Sequence, residues 1–379
     1  MLRLIRLFPV VVLLLALQPT GPALAQSESP RRSRDVGRLL SSDSGDLYYL
    51  GNFSSVLDLV APSGICGAFG LTGGTPIPLS EFAGKASPSR CEKVVDTALG
   101  RRELDPDEKL FQPYKITSDS EGRIMVADSG TVHIFDFLKR RHSHISVGPG
   151  ERLQSPAGLA VDGHDQLYIT DAQLGTILVY RPYGKFRRYI GNRKGERLFA
   201  RPAGIAVDRA SGNIYVADPP RNVVVVLDAD GNIIAKIGAG ASGGGSAEFA
   251  APTDVVVRKE ELFVLDAQNF RIQVFDLAGH FRESIFPESM GSSVAFSVDS
   301  QGRIYLDGPL DTVRIFQRDG RFIDRFGYSG AGSRAKSLVS CIWIDSSDRV
   351  FVADKGNNQV QSFEWGTRHR RKLLVPRNH

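Results

Sequence analysis

One motif recurs along this chain, and its recurrence limits the possible folds more than any bulk property does. PAGLAVDGHDQLYITD runs from Pro156 to Asp171, and PAGIAVDRASGNIYVAD from Pro202 to Asp218. Weaker copies begin at Pro113, Pro252, Ser293 and Val339, and a divergent seventh, GRLLSSDSGDLYYLGN, begins at Gly37. The residue that closes the first apolar run of each copy serves as a ruler: Asp43, Asp119, Asp162, Asp208, Arg258, Asp299 and Asp345. The intervals are 76, 43, 46, 50, 41 and 46 residues. Five of them match the period of about 40–50 residues that a propeller blade requires.

Each copy reads as four strands. The first is an uninterrupted apolar run, such as Gly204 to Asp208, which suits a strand covered on both faces. The second is aromatic and β-branched, as in LYIT, IYVA, LFVL and VFVA. The third alternates, as in RIQVFD from Arg271 to Asp276. Asp-Gly turns at Asp230-Gly231 and Asp319-Gly320 then lead to a more polar fourth strand. The expected fold is therefore all-β: a β-propeller of tandem four-stranded blades over residues 35–375. Six units are strong and one is divergent, so the ring has six or seven blades, the divergent unit serving in the first case as closure or extension. RKLLV, Arg371 to Val375, is a candidate outer strand for the last unit.

The composite pattern resembles the NHL repeat. A Pro opens an apolar strand ending in Asp, a Gly turn leads to a strand like IYVAD, and Asn and Arg precede a strand like VQVFD. PAGIAVD…GNIYVAD (202–218), DAQNFRIQVFD (266–276) and VADKGNNQVQSFE (352–364) carry it. The resemblance implies a propeller, usually six-bladed, used mostly as a binding platform. It also implies enzymatic relatives, notably the lyase that cleaves peptidyl-hydroxyglycine with zinc held by histidines near the ring axis.

The ends carry a different message. Arg3 and Arg6 precede an apolar run from Leu7 to Leu17, and Ala23-Leu24-Ala25 offers a signal-peptidase pattern. Residues 1–25 are expected to be a secretory signal peptide, 26–34 a flexible N-terminus and 376–379 a C-terminal tail, giving a secreted or periplasmic protein. The formal charge is +5, yet Arg3, Arg6, Arg368, Arg370, Arg371, Lys372 and Arg377 supply seven positive charges, leaving −2 for the rest. That distribution argues against nucleic acid as a partner, and no later run is apolar enough to span a bilayer. Arg368, Arg370, Arg371 and Lys372 form a basic edge that discourages strand pairing or touches anionic envelope polymers. Between the first two units lies a non-repeat, partly helical insertion at about 71–110, with Ser89 as a cap before Arg90 to Leu99. Cys66 and Cys91 are expected to pair as a disulfide that clips it, whereas Cys341 reads as a small buried residue of an inner strand.

Catalytic chemistry is poorly represented. His142-x-His144 reads as a polar loop rather than a two-point metal site, and DADGN (228–232) as a hairpin turn rather than a calcium loop. No metal, cofactor or catalytic set is expected. Asp128, Asp171, Asp218, Asp266 and Asp354 recur at the end of strand two, which points to bonding turn amides. Lys115 and Asp254 break the glycine pattern of Gly158 and Gly204 and read as packing choices or axial polar groups. The loops between strands two and three, and between blades, share one mouth of the ring. They offer Gln173, Arg221, Asn222, Gln268, Asn269, Arg271, Asn357 and Asn358, with Arg201 from an inter-blade loop. Arg and Asn make several directed hydrogen bonds, which suits a protein, peptide or glycan ligand. The functional expectation is a non-enzymatic exported binding or scaffold propeller, the alternative being a metal-dependent hydrolase or lyase on the same scaffold.

Overall fold

Five four-stranded antiparallel sheets follow one another in chain order, and a sixth is shared between the two ends of the repeat region. A computed structural model describes residues 40–42, 45–53, 110–139, 141–145, 147–148, 151–193, 196–308, 312–327 and 338–366. All belong to the unit Val36–His379. Blade 1 comprises Pro113–Ser118, Ile124–Asp128, Thr131–Asp136 and Arg141–Ile145. Blade 2 comprises Pro156–Val161, Leu167–Asp171, Thr176–Tyr180 and Phe186–Ile190. Blade 3 is Ile205–Val207, Ile214–Asp218, Val223–Leu227 and Ile233–Ile237. Blade 4 is Pro252–Arg258, Glu261–Asp266, Arg271–Asp276 and Phe281–Ile285. Blade 5 is Phe296–Val298, Ile304–Gly308, Thr312–Phe316 and Phe322–Gly327.

Blade 6 settles the blade count. Its first three strands are Val339–Ile344, Val350–Asp354 and Gln359–Gly366. Its fourth is Gly45–Phe53, which pairs antiparallel with Gln359–Gly366 and carries Leu40–Ser42 as a fifth strand. The divergent seventh unit is thus the closure of a six-bladed ring. It occupies the outer place that RKLLV was expected to take, and RKLLV itself lies outside the described residues. So do the expected signal peptide at 1–25, Cys66, Cys91, the helix signal at 90–99 and the basic tail.

Six apolar clusters, one per blade-to-blade interface, hold the ring together among the described residues. Ile134 and Ile169 pack between blades 1 and 2, Val179 and Val216 between 2 and 3, and Tyr215 and Val264 between 3 and 4. Leu265 and Phe296 pack between blades 4 and 5, Tyr305 and Val352 between 5 and 6, and Phe135 and Phe351 between 6 and 1. Both faces of strands two and three are needed, which is why VVVVL in blade 3 is buried throughout. The first strands of successive blades approach one another around the axis, and Ser340 Oγ closes the circuit by donating to Pro113 O at 2.6 Å.

Two recurrent aspartates shape the loops, the first of them replaced by Arg258 in blade 4. The one closing strand one accepts amides of its own turn: Asp119 from Glu121 and Arg123, Asp162 from His164 and Gln166, Asp299 from Gln301 and Arg303, Asp345 from Ser347 and Arg349. The one closing strand two binds the loop arriving from the previous blade. Asp171 accepts from Gln154 N at 2.7 Å, Asp218 from Ala200 N at 2.8 Å and Asp266 from Ala250 N at 2.7 Å. Recurrence of that aspartate therefore has the structural cause the sequence suggested.

Candidate functional site

Counted from the residue that opens each repeat, the third position at the inner strand reads Lys115, Gly158, Gly204, Asp254, Ala295 and Cys341 in blade order. Four are small, and the two large ones come from opposite blades, 1 and 4. Lys115 Nζ reaches Asp254 Oδ2 at 2.6 Å, with 16% and 12% of the side chains exposed. Burial pulls the Lys115 ammonium down, but Asp254 outweighs it, and the net shift is upward. Cys341 is the buried free thiol expected of an inner strand. Burial pushes it up to about 11 against the opposing pull of Lys115, so it is a thiol rather than a nucleophilic thiolate at neutral pH.

At the far end of the inner strands the axis is crossed again. Arg258, which replaces the aspartate of the ruler in blade 4, donates Nε to Val298 O at 2.8 Å and Nη2 to Asp345 O at 3.2 Å. Arg209 of blade 3 donates Nη2 to Ser118 O of blade 1 at 3.0 Å. These arginines bind the carbonyl ends of strands in other blades.

The loop residues singled out from the sequence lie at the opposite mouth, and most are engaged inside the protein. Arg271 is 5% exposed; its Nε pairs with Asp266 at 2.8 Å and its other nitrogens donate to Gly244, Gly245 and Glu248 carbonyls. Asn269 donates to Gly243 O and Asp266, and Asn357 donates to Asp354. Asn222, in a left-handed turn, accepts from Ala251 N, and Arg221 Nη1 donates to Leu198 O at 2.6 Å. Asn358 also adopts positive φ. Gln173 and Arg201 use their backbone amides to bind Asp171 and Asp218, and both are exposed. These residues share a mouth without converging on one point.

A concave site appears instead on the turn face, between blades 2 and 3. Two other interfaces show what can fill such a gap. In blade 1, Arg123 pairs with Asp119 and lies 4.1 Å over the ring of Tyr183, supplied by blade 2. In blade 5, Arg303 pairs with Asp299 and lies 4.1 Å over Trp365 of blade 6. Each stack fills the gap between neighbours. In blade 2 the arginine position holds Gln166, and in blade 3 the residue before the turn glycine, Tyr183 in blade 2, is Asp230. The result is a cavity of about 310 Å³.

Its walls are polar. Asp162, His164, Gln166 and Tyr168 come from blade 2, Arg187 and Arg188 from the outer strand of that blade, and Arg209 and Asp230 from turns of blade 3. Gly163 is required here, because a Cβ would lie 2.6 Å from Arg209 O. Asp162 is saturated by its own blade, accepting from His164 N, Gln166 and the Tyr168 hydroxyl. Burial and that carboxylate push the Tyr168 phenol up to about 12, leaving it a neutral donor. Arg188 bridges the blades through Asp230 O and Ala229 O, both at 2.5 Å, while its buried Nε has no partner among the described residues. Arg187 donates to Gln166 through Nη1. The sequence signal for this site was the set Arg187, Arg188 and Arg209, which two neighbouring blades bring to one cavity.

The histidines are placed differently from expectation. His142 and His144 lie within the fourth strand of blade 1 rather than in a loop, and His142 Nε2 is 3.0 Å from Nδ1 of buried His133 on strand three. Burial, with His142 and His144 nearby, pulls His133 down to about 3, so its ring is neutral. Asp228 accepts from Asp230 N and Asn232 N, making DADGN a hairpin turn. Among the described residues no three His, Cys, Asp or Glu side chains gather to hold a metal.

Comparison with known proteins agrees with this geometry. Residues 209–305 match the family described as a six-bladed β-propeller. Over 180 residues the chain is 26% identical to a probable peptidyl-α-hydroxyglycine α-amidating lyase of Caenorhabditis elegans, covering 45% of this chain and 49% of that one. Over 100 residues it is 29% identical to NHL repeat-containing protein 3 of Homo sapiens, covering 25% and 29%. The chain thus spans half or less of the length of these relatives. Two solved structures share the fold. A streptogramin B lyase superposes with a TM-score of 0.50 at 15% identity, over 68% of this chain and 94% of that one. A gluconolactonase of Xanthomonas campestris gives 0.51 at 15% identity, over 68% and 87%. The chain is a six-bladed β-propeller, and its blades resemble those of NHL-repeat proteins.

Proposed function

We propose that this protein is an exported, non-enzymatic binding propeller whose protein, peptide or glycan ligand docks in the groove between blades 2 and 3. The observation that carries the reading is the polar cavity itself, at an interface without the Arg–aromatic stack that fills the gaps between blades 1 and 2 and between blades 5 and 6. The loops first singled out by the sequence are less suited, because Asn269, Arg271 and Asn357 have their hydrogen-bonding capacity engaged internally.

A lyase or lactonase reading draws on the names of the relatives. Its natural place is the ring axis, where Lys115 and Asp254 bond each other.

The test builds the missing stack into this interface. A Gln166→Arg, Asp230→Tyr double variant would rebuild the stack of blades 1 and 2 and fill the groove. Wild type and variant are compared on peptide and glycan arrays, with mass spectrometry of the recovered ligands. The reading predicts ligands that wild type retains unaltered and the variant loses. Unchanged binding by the variant, or conversion of a ligand to product, would contradict it.

A further inference from the structure

Resting on that reading of the groove, we infer that its occupant is an acidic sugar residue whose carboxylate is held by Arg187, Arg188 and Arg209. Three arginines line one small cavity, together with Asp162 and Asp230. Asp162 is already saturated within blade 2, so it does not neutralise the arginines by direct pairing. Arg188 Nε is a buried donor without a partner among the described residues, and an unpaired buried donor is a costly feature that an anion removes. Arg209 uses only Nη2, and Arg187 only Nη1, in bonds among the described residues.

The sugar assignment follows from the other walls. A pyranose carries hydroxyls that both donate and accept on all sides. Asp230 accepts, the arginines donate, and His164 and Gln166 do either. Three hairpin turns bound the cavity, and its size sits at the lower end for small-molecule sites, matching one compact residue better than an extended peptide.

The experiment is calorimetric titration of the whole chain with four probes: a uronic-acid disaccharide, the matching neutral disaccharide, inorganic phosphate and a tri-aspartate peptide. Arg187→Gln serves as the main variant, because Arg187 is exposed and its loss leaves the blade core intact. The Gln166→Arg, Asp230→Tyr variant serves as the filled-groove control. The uronic-acid disaccharide is expected to bind at least about tenfold tighter than the neutral one and to weaken by a similar factor in Arg187→Gln. Equal binding of the neutral disaccharide, lost in the filled variant, would overturn the carboxylate inference and leave the groove reading standing. Preferential binding of phosphate or the peptide would do the same. Binding of any probe unaffected by filling the groove would overturn both.

Discussion

Lys115 and Asp254 join opposite walls of the ring with a single ion pair, and their energetics are asymmetric. Removing one partner leaves the other charge desolvated, at a cost of about 3–5 kcal/mol, whereas removing both is nearly neutral. Asp254→Gly is therefore expected to lower unfolding stability by that amount. Lys115→Gly combined with Asp254→Gly, which restores the residue found in blades 2 and 3, should recover most of the loss. Urea unfolding of the four members of this cycle measures it. Because the folded Lys115 pKa is raised, its contribution is complete below about pH 10.5 and is lost as pH rises through the folded value. Both residues were visible in the sequence as breaks in a glycine position. Their meeting was not, because first and fourth blades face each other only in a ring of six.

His133 sets the behaviour at low pH. Its folded pKa of about 3 lies below the ordinary 6.5, so the unfolded chain binds the proton first. Stability attributable to this residue falls by up to about 1.4 kcal/mol per unit as pH drops below 6.5. His133→Phe, beside the stacked ring of Phe135, should flatten that slope in unfolding curves taken at pH 7.5 and pH 5. An unchanged slope would place the sensitivity elsewhere.

At the scale of elements, ring closure rests on Gly45–Phe53 completing the sheet of Gln359–Gly366. The two ends of the repeat region are thereby joined by a ladder that no continuous stretch of chain supplies. Deleting residues up to Phe53 exposes the edge of blade 6 and is expected to lower the thermal midpoint and promote association through the open strand. Calorimetry and sedimentation of the truncated chain test this. The four-strand grammar of each blade was readable because it rests on local patterning: apolar runs, aromatic second strands and Asp-Gly turns. The partnership of residues 45–53 with 359–366 was not, because pairing across the whole sequence leaves no local signature. GRLLSSDSGDLYYLGN looks like a worn repeat and serves as a borrowed strand.

For the whole molecule, near-identical blades make the departures informative. Turn aspartates recur in most blades, whereas the Arg–aromatic stack fills the 1–2 and 5–6 interfaces, and the 2–3 interface, which lacks it, holds the polar cavity. The sequence directed attention to polar loops at the other mouth, where Asn and Arg are abundant. There, hydrogen bonds to Asp266, Asp354 and loop carbonyls hold the connections together. Polarity alone does not distinguish a residue that binds a ligand from one that binds its own loop. The distinction required the contacts.

Hydrogen–deuterium exchange of the intact chain, with and without a saturating uronic-acid disaccharide, tests the site most directly. Slower exchange is predicted at 162–168, 187–188, 209–213 and 229–230, on both walls of the groove. Protection at Gln173, Arg221–Asn222, Asn269–Arg271 and Asn357–Asn358 instead would move the site to the opposite mouth and contradict the account.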